Sequence, residues 1–213
     1  YRLEKAVKEL TENFPWFRCH QEIGLGAQFD PIFVSGSEII HSPNPGWTLL
    51  TLLDGIQPLG ITTFIIDRWN LFPILGKIGE IEPILAVQVL ASNTFQVLGT
   101  AITAVGSLAE GKIALTVHIK TEFGKAYSVD IYHGELKRLL IPAEGEAEIE
   151  LVPHPNVDIG FGERGKGGKM TVTGGGLGVV IDARGRPLKL PREKDRRIET
   201  LQRWMGTMGV DLV

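Results

Sequence analysis

Cysteine is almost absent. Cys19 stands alone in 213 residues, so no internal disulfide can form, and no Cys/His spacing resembles a zinc site. That usage fits a reducing compartment, and the cytoplasm is the expected location. Excess charge is equally scarce: 22 basic residues face 25 acidic ones, a formal net charge of −3, so composition supplies no field that recruits nucleic acid or an anionic membrane. Long apolar runs are missing too. None reaches the roughly 18 to 20 residues a membrane span needs, and residues 1–14 alternate charged and apolar positions where a signal peptide has an apolar core. The histidines His20, His41, His118, His133 and His154 are scattered, none at the one-turn spacing of a helical metal pair. Each reads as a surface or satisfied core residue, and His154, between Pro153 and Pro155 with Asp158 following, reads as part of a rigid bend.

What is present is an ordinary globular composition, 43% hydrophobic and 22% charged. The length suits two modest domains. Leu3, Val7, Leu10 and Phe14 recur at helical spacing, predicting a helix over 2–13 that stops before Pro15. The start at Tyr1, already inside an amphipathic pattern, reads as a truncation. Pro31, Ile32, Phe33 and Val34 form a short apolar run closed by Ser35, Gly36 and Ser37, the pattern of a buried strand ending in a tight turn. WTLLTLL at 47–53 predicts a helix ending near Gly55, and ITTFII at 61–66 predicts a strand covered on both faces. A strand–helix–strand unit of this length implies a parallel pair. Residues 71–79 predict another helix, and 81–91 fit either a helix or a strand. So few strands do not close a parallel sheet, so further strands are expected from an N-terminal half or a partner.

Past Asn93 the period changes. Residues 96–105, 112–121, 126–132, 136–141, 146–152, 169–173 and 177–182 are short, mostly alternating stretches separated by turn-like residues. They predict mainly antiparallel neighbours in a small barrel or sandwich. A final amphipathic helix over 193–208 carries Ile198, Leu201, Trp204, Met205 and Met208 on one side and a basic opposite face.

Two glycine-rich segments invite functional readings. GFGERGKGGK at 160–169 satisfies GxGxxG at Gly160, Gly162 and Gly165, and comes within one residue of a phosphate loop. Both phosphate motifs need a helix N-terminus directly afterwards, whereas strand-like KMTVT follows, so an inter-strand loop is the expectation. Arg164, Lys166 and Lys169 on that loop are candidates for holding an acidic partner or phosphate, against simple solvation. GGGLG at 174–178 leads into VVIDARGRPLKLP, where glycines permit positive φ and close backbone approach. Asp182 is expected to pair with Arg184 or cap the turn. No His, Ser or Cys near it in sequence completes a catalytic set, so no catalytic residue and no metal ligand is assigned.

Four of these stretches resemble a known family: residues 52–83 (LLDGIQPLGITTFIIDRWNLFPILGKIGEIEP), 95–106 (FQVLGTAITAVG), 157–168 (VDIGFGERGKGG) and 174–191 (GGGLGVVIDARGRPLKLP). Together they look like the C-terminal half of the glutamate-mutase-associated MutL family, distinct from the mismatch-repair protein of the same name, with DARGRPL the most specific part. The resemblance spans most of 29–208. It implies a main body like the actin, sugar-kinase and Hsp70-type ATPases, and a role assisting adenosylcobalamin-dependent mutases. By that comparison Val34, Ser35, Gly36 and Ser37 form the turn that receives adenosine. The family form is near GSGG, and Glu38 here brings a carboxylate where a glycine is usual, which crowds or repels a nucleotide. In such ATPases the phosphate hairpins and magnesium-linked carboxylates precede this turn, so the resemblance places ATP or ADP with magnesium in a longer parent and no cofactor in this segment.

The expectation is therefore an α+β chain: a partial actin-like (ribonuclease-H-like) α/β segment over 1–92, then a small antiparallel β-barrel or sandwich with a C-terminal helix over 93–213. The leading functional expectation is a non-catalytic binding and scaffolding module for a protein partner, such as a cobalamin-dependent mutase, with Arg164, Lys166, Lys169, Arg184 and Arg186 at the contact. Neither nucleic acid nor membrane is expected as a partner, and oligomerisation is left open. The competing readings are a nucleotide-dependent ATPase or chaperone whose adenosine pocket is completed by an N-terminal half, and a small-molecule-binding barrel, which needs an enclosed cavity.

Overall fold

The computed structural model describes Lys5 and residues 30–42, 44–109, 111–122 and 124–210. The helix expected over 2–13 otherwise lies outside the described residues. In chain order the first elements are β1 (Ile32–Val34), α1 (Ser37–Ile40), α2 (Pro45–Ile56), β2 (Gly60–Ile66), α3 (Phe72–Ile81) and α4 (Pro83–Leu90). Then follow β3 (Gln96–Thr103), β4 (Val105–Gly106), β5 (Ile113–Thr121), β6 (Ala126–Tyr132), β7 (Leu136–Leu139), β8 (Glu146–Pro153), β9 (Val157–Asp158), β10 (Gly168–Thr173), β11 (Val179–Asp182) and α5 (Lys194–Thr207). The architecture is mixed α+β, and the stretch left open between helix and strand is the helix α4.

One mixed sheet of five strands runs in the order β1-β2-β3-β11-β7. β1 and β2 are parallel, with Val34 opposite Ile66, as the strand–helix–strand pattern implies. β3 then lies antiparallel to β2, β11 parallel to β3, and β7 antiparallel to β11. The strands that extend β1 and β2 into a full sheet thus come from downstream in the same chain. Sequence period alone did not place them there, because an alternating strand looks the same whichever sheet it joins.

A second, antiparallel sheet of four strands runs β10-β8-β5-β6. Its inward residues Leu115, Val117, Ile119, Ile149, Leu151 and Val172 share one buried cluster with Ile102, Val179 and Ile181 of the mixed sheet. The two sheets therefore stack as open layers. Among the described residues no sheet closes into a barrel: stacking already covers the apolar face of the antiparallel sheet, so burial does not require β6 and β10 to meet.

The opposite face of the mixed sheet packs Phe64, Leu98, Ala101 and Val180 against Leu49 and Leu53 of α2 and Trp204 and Met208 at the end of the chain. Period-2 alternation assigns the two cores, with Val179 and Ile181 facing one and Val180 the other. Asn44 caps α2, its side-chain oxygen accepting from the Gly46 N–H at 2.7 Å, and Pro45 takes the first helical position. The Asn44 amide donates to the Gly209 carbonyl at 2.7 Å. A Cβ on Gly46 would meet the Met208 carbonyl, so glycine there lets α2 approach the end of α5.

The GGGLG segment does what its composition suggests. A Cβ on Gly174 would strike the Pro142 carbonyl, and one on Gly178 the Leu139 carbonyl, while Gly175 and Gly178 hold φ of +59° and +75°. Glycine thus admits β11 between β3 and β7 with backbone against backbone. No described helix is long and apolar enough to cross a membrane.

Candidate functional site

Asp182, the last residue of β11, points to the helical face of the mixed sheet and is fully buried. Arg184 reaches back to it with Nε to Oδ1 at 2.9 Å and Nη2 to Oδ2 at 2.8 Å, while the Arg184 amide also donates to Oδ1 at 3.1 Å. Arg186 adds an Nη2 bond to Oδ2 at 2.8 Å. Asp54, near the end of α2, lies 2.7 Å from Arg184 Nη1. The guanidinium carbon of Arg184 sits 4.8 Å from the centre of the Trp204 ring of α5. DARGR is therefore a clasp that ties β11, α2 and α5 together with two carboxylates against two guanidinium groups.

The charges are mutually set. Burial pushes the Asp182 carboxyl up, but Arg186 and Arg184 outweigh it and hold the group well below the usual carboxylate range. Asp54 moves the other way: burial raises it, and its attraction to Arg184 offsets only part of the rise. Burial lowers Arg184, yet Asp182 and Asp54 leave it above its ordinary value. Opposite charges thus meet largely out of water where β11, α2 and α5 come together.

The five residues expected at a partner contact divide accordingly. The Arg184 and Arg186 side chains are 0% and 1% exposed and are committed to the clasp. Arg164, Lys166 and Lys169 face solvent on the loop before β10 and at its start, with Lys169 3.8 Å from Glu150. That loop leads into a strand, and its glycines serve packing: Gly165 lies against Pro155, and Gly168 against the Phe161 ring.

Val34, Ser35, Gly36 and Ser37 form the turn after β1, with Gly36 at φ +119°. The turn after β2 lies beside it. The Asp67 amide donates to the Val34 carbonyl at 2.9 Å, and the Ser35 hydroxyl donates to Asn70 Oδ1 at 2.6 Å. Both turns sit at the carboxyl ends of the two parallel strands, the edge at which open α/β sheets bind ligands. The Glu38 side chain lies outside the described residues.

Asp67 also fixes the start of α3. Its two oxygens accept from the Leu71 and Phe72 amides, each at 2.9 Å, and the residue is fully buried. Phe72 packs edge-on against Phe33 and Phe95, with centroids 4.6 and 5.5 Å away, so the base of α3 is pinned to the ends of β1 and β3.

Beyond that base, α3 and α4 bury little among the described residues. α3 buries only Leu75 and α4 only Ala86. Ile81, Ile84 and Val87 are 84%, 67% and 63% exposed, and Ile74, Leu85 and Leu90 are exposed as well. Trp69, just before α3, is 71% exposed. The sequence of α4, PILAVQVL, interrupts its apolar residues only at Gln88, and a helix apolar all round belongs in an interior. That signal was available from the residues and points away from the basic loop.

A shallow depression of about 380 Å³ lies on the outer face of the antiparallel sheet, lined by His118, Lys120, Ser128, Glu148, Glu150 and Lys169 among others. His118 Nδ1 and Ser128 Oγ are 2.7 Å apart there, a cross-strand pair open to solvent. Among the described residues no group of three or more His, Cys, Asp or Glu side chains is placed to hold a metal ion.

No protein-family model matches this chain, and no curated protein or solved structure matches it significantly.

Proposed function

We propose that the chain is a non-catalytic binding and scaffolding module that docks a protein partner through the exposed apolar surface of α3 and α4. One observation carries this reading: two adjacent helices leave Ile74, Ile81, Ile84, Leu85, Val87 and Leu90 in water while a capped, aromatic-pinned base holds them in place. Large apolar side chains left exposed together on two packed helices are the kind of surface at which globular proteins meet partners. Lys77, Glu80 and Glu82 lie among these residues, which disfavours insertion into lipid and suits a protein surface with polar groups at its rim.

The resemblance of residues 52–83 and 174–191 to the MutL-like family suggests the partner, an adenosylcobalamin-dependent mutase. Arg164, Lys166 and Lys169 offer a second, polar contact for an acidic surface on it. The actin-like reading of the first half rests on the β1–α2–β2 unit with its turn at Val34 to Ser37. The test is a binding titration with such a mutase, comparing the native chain with Ile84→Asp/Val87→Asp. Loss of at least roughly tenfold in affinity is expected if these side chains are central anchors, and unchanged affinity overturns the reading.

A second reading is favoured by the pairing of the two turns at the carboxyl ends of β1 and β2. In it the Val34–Ser37 turn is the adenosine end of a nucleotide-dependent ATPase or chaperone, whose magnesium and phosphate groups come from a longer parent. Calorimetry with ATP and ADP separates the two: binding by a longer chain and not by this one supports the second reading.

A further inference from the structure

A different part of the molecule carries an independent inference. We infer that β6 is a self-association edge, across which two copies of this chain pair antiparallel and join their antiparallel sheets. β6 spans seven residues, AYSVDIY, and among the described residues it has a strand neighbour, β5, on one side only. An edge strand offers a row of unpaired amides and carbonyls, and proteins ordinarily blunt such edges with charged side chains, lysine above all, with proline, with bulges or with brevity. The other outer strands here are blunted. β1 has three residues and follows Pro31, β7 carries Lys137 and Arg138, and β10 carries Lys169. β6 contains no basic residue and no proline, and its one charge, Asp130, is taken up by the Thr116 hydroxyl of β5.

The backbone direction is set by the adjoining turn. Thr121 N–H donates to the Lys125 carbonyl at 3.0 Å, so by alternation the polar groups of Ala126, Ser128 and Asp130 point away from β5. Tyr132 shares that direction, and its N–H donates at 3.0 Å to the Glu135 carboxylate instead of to β5. The free groups of Ser128 and Asp130 are thus those a second strand must meet.

The sequence of β6 is self-complementary about Val129. With a two-fold axis there, Val129 faces its own copy at a non-hydrogen-bonded position, where side chains are closest. Tyr127 then faces Ile131 on the inner side, an aromatic–β-branched pair, and Ser128 faces Asp130 on the outer side. The single charge of the strand meets a hydroxyl and never its own copy. Asp130 already accepts from the Thr116 hydroxyl at 2.7 Å, so it is held in place on that face.

The test exploits this register. Sedimentation of the whole chain from micromolar to millimolar concentration measures the monomer–dimer equilibrium for the native sequence, Ser128→Asp and Ser128→Lys. Both substitutions remove the same hydroxyl contact with His118 and sit on an exposed position, so they separate charge from folding. In the proposed pairing the first sets a carboxylate opposite Asp130 twice over, and the second sets an ammonium there. Dimerisation is expected to weaken roughly tenfold in Ser128→Asp and to tighten in Ser128→Lys. A native chain that stays monomeric throughout overturns the proposal, as does a dimer that responds identically to both substitutions or one lost equally in both.

Discussion

Asp182 and Arg184, two residues apart at the end of β11, are locked in a two-pronged contact, Nε to Oδ1 at 2.9 Å and Nη2 to Oδ2 at 2.8 Å, wholly out of water. Residues i and i+2 lie on the same face of a strand, and just past β11 the chain bends, so that the Arg184 amide as well as its guanidinium reaches the Asp182 carboxylate. Here it turns through Ala183 and Arg184 to Gly185 at φ +87°. The bend sends Arg184 beneath Trp204, so the pair joins the sheet to the C-terminal helix.

Removing the carboxylate leaves two guanidinium groups buried without it. Asp182→Asn is therefore expected to cost about 3–5 kcal/mol, read as a lower urea midpoint with an unchanged slope. Replacement of Arg184 by methionine is expected to cost less, because Asp182 keeps Arg186.

The same cluster sets the acid limb of stability. Asp182 is depressed on folding, so the folded state binds fewer protons at this group than the unfolded state does. Its contribution is complete above the unfolded carboxylate value of about 4 and is lost as pH falls through the lower folded value. Asp54 has the opposite sign: raised on folding, it favours the folded state at low pH and loses that contribution as pH rises through its folded value. Denaturation midpoints measured down the acid range should fall for the native chain, fall less steeply for Asp182→Asn, and keep the fall in Asp54→Asn.

Gly178 combines φ of +75° with a Cβ position blocked by the Leu139 carbonyl. Gly178→Ala should destabilise by more than the ~1 kcal/mol of a strained turn alone, because β11 must move off β7. Gly36 has open space at its Cβ position, so Gly36→Ala carries only the conformational cost. Thermal melts of the two variants should rank them in that order.

Asp67→Asn weakens the acceptors for the first amides of α3 and should cost about 1–2 kcal/mol. Its effect should also be local. Hydrogen exchange is expected to rise across α3 and α4 and to stay unchanged in β5 and β8, which lie in the other sheet.

Much of this fold was legible in the residues. WTLLTLL, ITTFII and the alternating stretches after Asn93 became α2, β2 and strands of both stacked sheets, and Asp182, expected to pair with Arg184 or to cap the turn, accepts from both the Arg184 guanidinium and its amide. The sheet membership of β3, β7 and β11 was not legible, because period 2 records which residues face a core and not which strand lies alongside. The same blindness made Arg184 and Arg186 look like contact residues: a basic side chain in a turn is ordinarily solvated, and only the tertiary arrangement of Asp54, Asp182 and Trp204 draws these two inside. The surface on α3 and α4 was readable in PILAVQVL, but an apolar run announces burial without saying by what.

The docking claim stands most directly on one titration: the native chain, and its Ile84→Asp/Val87→Asp variant, into an adenosylcobalamin-dependent mutase of the glutamate-mutase type. Both positions are exposed, so the variant should keep the native melting temperature within the small range of surface substitutions. The account predicts saturable binding by the native chain and at least roughly tenfold weaker binding by the variant. Equal binding by both, or none by either, contradicts it.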